Sequence, residues 1–373
     1  MKAELKALAA IKPKKRMNGE YLLSLVISIL AALLVGAGIM LISGHNPIAG
    51  YQAMLNGALG NTRAIGDTLA KSATLCLTGL AMAVAAKAGI FNVGGEGQLY
   101  LGAIAAALVG GYVTGLPMVL GIALSMLAAM VAGGLYALLP AWLKVKLKVN
   151  EVITTIMLNS AAIYFCSFLA NGPLKTAEKG IATGTVKIDA NYVFPRLIKL
   201  SSLTSSIFIA AGVAFVIWYL MKRTTGGYEM KLTGENDRFA RYTGIKTDNL
   251  ALIAMVISGA ICGLVGMFEV FGLHKRFLDT VSSEFYFDGM LVAMIMRYDP
   301  IGIVLMSLFF GILKIGSMGM EKVGIPSETI LIVQSIIIFF MAAESGIMRG
   351  IKDRRMRKRA QKAILAVEKE AAQ

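Results

Sequence analysis

Long apolar runs alternate with short polar breaks along the whole chain, and no stretch between them resembles a soluble domain. Tyr21 to Gly44 carries no ionisable group except the tyrosine. At ~1.5 Å per residue such a helix reaches roughly 36 Å, enough to cross a hydrocarbon core of about 30 Å with some tilt. Gly97 to Leu143 stays charge-free for twice that length, with Pro117 near its middle, and so reads as two spans joined by a tight turn. A helical window over the rest predicts spans near 21–43, 72–90, 97–115, 118–143, 152–171, 201–221, 250–268, 287–296, 301–315 and 327–345. The expectation is an all-α, polytopic transmembrane bundle of about ten spans. The domains it implies are a basic arm 1–20, a membrane domain 21–345 and a basic tail 346–373.

Composition agrees with this pattern: 57% of the 373 residues are hydrophobic and 16% charged, where a soluble domain carries about a quarter charged. The formal net charge of +15 raises a nucleic-acid reading until the basic residues are located. They cluster in the first sixteen residues, in 222–246 and in 349–369, at the edges of apolar runs and without an interleaved aromatic stripe. That is the distribution of the positive-inside rule, so the partner is the lipid bilayer and no nucleic acid is expected. Both termini and the loops 144–150 and 222–249 then face the cytoplasm, and 45–70 and 172–199 are outside connections. The first apolar run is too long for a cleaved signal and reads as a retained anchor. Cys76, Cys166 and Cys262 lie inside apolar runs as small hydrophobes, and no metal ligation is implied.

No catalytic pattern is present. The histidines, His45 and His274, are far apart, and no HExxH, GxSxG or GxxxxGK[ST] occurs. Three polar segments remain. Lys87 to Gln98 holds Gly89, Gly94, Gly95 and Gly97 between two apolar runs, together with Phe91, Asn92, Glu96 and Gln98. Such glycine density predicts a broken helix in the membrane, tolerated where it lines a cavity or is buried in protein. The bland alternative is a solvated turn. Val149 to Asn159 offers Asn150 as a helix cap, and Thr155 and Asn159 share a face four residues apart. They suit a pathway or a packing contact between spans. Gly226 to Ile245 predicts a short helix capped by Asn236 or Asp237 and stopped at Gly244. Its narrow apolar edge, Phe239 and Tyr242, is flanked by Arg238 and Arg241, which suits docking into a partner's groove or resting on headgroups. A weak echo between Phe91–Gly95 and Phe285–Gly289 is too short to establish a repeat.

Taken together, AGIFNVGGEGQLYLGA, VNEVITTIMLN and GENDRFARYTGI resemble the permease subunits of bacterial ABC importers over about residues 70–345. The ribose and branched-chain amino-acid transporter class is the match, and within it the nucleoside-uptake branch. The resemblance implies a bacterial cytoplasmic-membrane importer subunit that forms half of the translocation pathway, expected for nucleosides, with simple sugars such as ribose as the alternative. It implies as partners a cytoplasmic ABC ATPase that carries the ATP and Mg, a second permease chain and an extracellular substrate-binding protein. This chain would then bind no cofactor. The resemblance assigns Phe91, Asn92, Gly94, Gly95, Glu96, Gln98, Thr155 and Asn159 to the substrate pathway. It assigns Gly234, Glu235, Asn236, Arg238, Arg241, Tyr242 and Gly244, within the loop 222–249, to coupling with the ATPase. A rival, the ion-coupled secondary transporter, requires intramembrane carboxylates, and Glu96 and Glu269 are the candidates.

Overall fold

The computed structural model describes residues 19–178, 183–326 and 328–340. The basic arm up to residue 18, the tail 346–373 and the end of the last expected span lie outside the described residues. Regular structure among the described residues is helical throughout, with one isolated bridge between Arg196 and Thr204. The helices are α1 (Gly19–Ile42), α2 (Pro47–Leu59), α3 (Thr62–Lys87), α4 (Gly95–Tyr112), α5 (Met118–Leu147), α6 (Glu151–Asn171), α7 (Ser206–Arg223), α8 (Thr225–Glu235), α9 (Asp237–Tyr242) and α10 (Thr247–Phe268), which runs into a π-helical turn, Glu269–His274. After it come α11 (Phe285–Ile295), α12 (Pro300–Glu321) and α13 (Glu328–Phe340). The chain divides into two units: residues 1–48 with 326–373, to which α1 and α13 belong, and Ala49–Ile325, which carries α3 to α12 and all of α2 but its first two residues.

Six helices among the described residues, α3, α5, α6, α7, α10 with its π-helical extension and α12, are long and apolar enough to cross a membrane. Several boundaries differ from the sequence expectation. The connection 45–70 contains α2 and the first turns of α3, and the span placed at 72–90 is the helix Thr62–Lys87. The span placed at 301–315 continues to Glu321, and that at 201–221 is Ser206–Arg223. The physical reason is capping. Asn61 starts α3 by accepting from the Ala64 N–H at 2.8 Å, and Asp299 starts α12 ahead of Pro300 by accepting from the Gly302 N–H at 3.2 Å. Drawing a span's edge at its first charge therefore misplaced Lys71, which lies inside a helix.

Within Ala49–Ile325, α10 is the hub and packs against α5, α4 and α3, while α3 packs in turn against α12 and α11. Close approach uses small residues: a Cβ at Gly133 would strike the Gly259 carbonyl, and one at Gly263 the Ala129 carbonyl. The outer helices show the reverse of a soluble surface. Leu127 and Leu135 on α5, Phe165 and Phe168 on α6, and Phe208 and Phe215 on α7 are exposed, as lipid contact requires.

Candidate translocation and coupling sites

The glycine-rich segment expected to break a helix joins two separate helices. Helix α3 ends at Lys87, residues 88–94 form a turn and a non-helical stretch, and α4 starts at Gly95. The stretch is held by side chains, not by sheet or helix. Asn92 is fully buried. Its amide nitrogen donates to Gln98 Oε1 at 3.0 Å and to Ser258 Oγ at 2.9 Å, and its Oδ1 accepts from the Gly94 N–H at 3.1 Å and from Gln98 Nε2 at 3.2 Å. Thr155 Oγ1 accepts from the Val93 N–H at 3.3 Å, and Asn159 Oδ1 accepts from the Gly97 N–H. Thr155 and Asn159, buried on α6, thus meet the backbone of the glycine-rich segment, while Phe91 is half-buried at its edge.

The N-terminus of α4 faces that of α11. Glu96, only 3% exposed, accepts from the Tyr286 N–H through Oε2 at 2.9 Å, and the Ser282 hydroxyl bonds to the same carboxylate. Tyr286 donates its hydroxyl to the Asn92 carbonyl, and its ring occupies the space that a Gly95 side chain would need. The two segments of the weak sequence echo, Phe91–Gly95 and Phe285–Gly289, are in contact through these bonds. Sequence reasoning missed Tyr286; the echo was the signal that could have found it.

The loop 222–249 forms α8 and α9. Asn236 caps α9 by accepting from the Phe239 N–H at 3.0 Å, and the helix stops ahead of Gly244 at a φ of +86°. Arg241 pairs with Asp237 at 3.0 Å and Asp248 at 2.6 Å. Burial raises the Asp237 carboxyl, yet hydrogen bonds, that of Arg241 among them, outweigh it and hold the group below the usual aspartate range. Tyr242 is 91% exposed, and Arg238, Glu235 and Phe239 are also on the surface. Gly234 packs on the far end of α3: a Cβ there would sit 2.5 Å from the Lys87 carbonyl oxygen. Lys144 closes the arrangement, donating to the Gly89 carbonyl at 2.8 Å and to Glu151 at 2.6 Å. A cavity of about 580 Å³ lies among these parts, lined by Gly89, Lys144, Glu151, Gly234 and Asp237. A second, of about 660 Å³, lies apart from the glycine-rich segment, among Gln52, Asn56, Arg63 and Lys322. No group of residues able to hold a metal ion occurs among the described residues.

A helical bundle with apolar outer faces, a buried polar connection between two of its helices and a capped polar loop packed against that connection defines a polytopic membrane protein of the transporter kind. The chain belongs to the family described as branched-chain amino acid transport system / permease component, which matches residues 64–342. It is 35% identical over 340 residues to the guanosine ABC transporter permease protein NupP of Bacillus subtilis, covering 89% of this chain and 96% of that one. It is 37% identical over 328 residues to the nucleoside ABC transporter permease protein NupB of Lactococcus lactis, covering 86% and 90%. A glucose ABC transporter permease protein of Haloferax volcanii is 30% identical over 326 residues, covering 85% and 86%. No solved structure matches the chain.

Proposed function

We propose that the chain is the membrane permease subunit of an ATP-binding-cassette importer for nucleosides. The observation that carries this reading is the similarity, at 35% and 37% identity over most of the chain, to two permeases named for guanosine and for nucleosides. The subunit forms half of a translocation pathway, crosses the bacterial cytoplasmic membrane about ten times and keeps both termini in the cytoplasm. A partner ATPase binds ATP and Mg and hydrolyses the nucleotide. A second permease chain and an extracellular substrate-binding protein complete the importer.

The glycine-rich segment and α6 frame the pathway in this reading. Asn92, Gln98, Thr155 and Asn159 act by holding the backbone, since their hydrogen bonds are made within the protein. Phe91, Gly94, Gly95 and Glu96 shape the wall. The exposed surface from Gly234, at the end of α8, through α9 to Gly244 docks on the ATPase. Its contact with the end of α3 through Gly234 and the Lys144 bridge to Gly89 carry movement of the ATPase to the base of the glycine-rich segment.

Sugar import is the second reading, favoured by the glucose permease relative. The ion-coupled alternative loses support because Glu96 is engaged with a backbone N–H and Glu269 with Thr74 at 3.2 Å. Uptake of labelled guanosine, other nucleosides, ribose and glucose, compared in cells with and without the chain, tests the proposal. Nucleoside uptake that depends on the chain supports it; dependence of glucose or ribose uptake alone overturns it.

A further inference from the structure

Four charged side chains gather in the bundle, two of them, Lys71 and Lys314, remote from the ends of their helices. Lys71 lies about 14 Å along α3 from Thr62, and Lys314 about 10 Å before the end of α12. Both helices qualify as membrane spans. Lys314 Nζ pairs with Asp288 Oδ2 at 2.6 Å, beside the start of α11. Glu269, the first residue of the π-helical turn, accepts from Thr74 Oγ1 at 3.2 Å. Lys71 Nζ stands 3.3 Å from the centre of the Phe285 ring, within electrostatic reach of Glu269, Asp288 and Lys314. Helix α3, the π-helical turn, α11 and α12 each contribute one charge.

These groups are not sealed within protein. The Lys314 side chain is 34% exposed and that of Asp288 14%, and Lys71 and Glu269 are also partly open. A charge facing hydrocarbon costs about 2.5–3.5 kcal/mol even on the lenient insertion scale, so four on one flank forbid lipid contact there. The opposite character of α5 and α6, with Leu127 and Phe165 exposed, marks where lipid sits. Two ammonium groups against two carboxylates leave the set near electrical neutrality, with both hydrogen-bond donors and acceptors. That combination suits a neutral, hydroxyl-rich solute better than an anion or a cation.

Resting on the importer reading above, we propose that the flank of α3, α11, α12 and the π-helical turn bearing Lys71, Glu269, Asp288 and Lys314 lines the water-filled pathway and meets the hydroxyl groups of the permeant. The test uses the complete transporter in nanodiscs, where both membrane faces are open to solution. Lys71→Cys, Lys314→Cys and Asp288→Cys are each treated with a membrane-impermeant cationic methanethiosulfonate, with guanosine present or absent. The unmodified chain sets the background from its buried cysteines, and Leu127→Cys reports a lipid-facing position. The flank positions should react at least tenfold faster than Leu127→Cys, and guanosine should slow them severalfold. Asp288→Cys, on a different helix of the same flank, keeps the test decisive should either lysine variant fail to assemble. Reaction no faster than at Leu127→Cys overturns the pathway assignment. Fast reaction without guanosine protection, in a complex whose unmodified form imports guanosine, overturns the contact with the permeant. Labelling does not depend on what is carried, so an unmodified complex that imports no nucleoside refutes the importer reading while the labelling rates still decide the flank.

Discussion

Glu96 joins the starts of two helices, and its replacement exposes what that joint contributes. Its carboxylate receives the Tyr286 N–H at 2.9 Å, one of the orphan donors in the first turn of α11, and it also lies in the first turn of α4. A hydrogen bond to a charged group is worth about 1.5–3 kcal/mol, roughly twice a neutral one. Glu96→Gln keeps an oxygen for Tyr286 but removes the charge, so the expected loss is about 1 kcal/mol. Glu96→Ala leaves the buried N–H without its partner and opens a void, an expected loss of about 2–3 kcal/mol. If the seating of α11 against α4 sets the competent pathway, 1.4 kcal/mol corresponds to a tenfold change. Initial uptake of labelled guanosine, normalised to assembled complex, should then fall about fivefold in Glu96→Gln and well over tenfold in Glu96→Ala. Thermal unfolding in detergent should rank the variants in the same order. Wild-type uptake and wild-type unfolding for Glu96→Ala would refute the reasoning, because a solvated turn tolerates that change.

Four further outcomes are expected. Gly234→Ala drives a Cβ to 2.5 Å from the Lys87 carbonyl, an overpacking cost of about 1–3 kcal/mol, and should sever uptake from ATPase stimulation with the protein still in the membrane. Tyr242→Ala, at a position 91% exposed, should leave stability within about 0.5 kcal/mol yet reduce co-purification of the ATPase. Cysteines placed at Lys231 and Lys187 should react only from the cytoplasm and only from outside, respectively; labelling of Lys231→Cys from outside intact cells contradicts the orientation. Hydrogen bonds from Lys187 and then Arg276 hold the Glu178 carboxyl below the ordinary glutamate range, with contacts of 2.8 and 2.7 Å. A lowered folded-state value means that this clamp is complete above the usual glutamate value of about 4.3 and is lost as pH falls through the lowered one. Hydrogen-exchange protection factors around Arg276, taken relative to the intrinsic rate at each pH, should therefore stay constant from neutral pH down to that range and fall only below it.

Hydropathy alone determined that this chain is a helical membrane protein, since charge-free runs of twenty residues have few other solutions in water or lipid. Local chemistry was equally readable: Asn150 and Asn236 cap the helices they were expected to cap, and Gly244 stops α9. That residues 88–94 leave the helical conformation was visible, because glycine density acts on the backbone within a few residues, but the segment joins two helices where a break within one span was expected. Helix ends near charges were not visible, and the charges at 71, 288 and 314 went unnoticed as a group. A window along the chain treats a lysine as an edge, whereas a partner supplied by a distant helix lets it lie inside a span. Tertiary structure alone decided that Asn92 and Gln98 face each other and Ser258, that Glu96 caps α11 across 190 positions, and that Lys71 meets α11 and the π-helical turn. Each of those contacts rests on polar groups that find partners far away in sequence, and burial makes the pairing obligatory without saying, along the chain, which partner it will be.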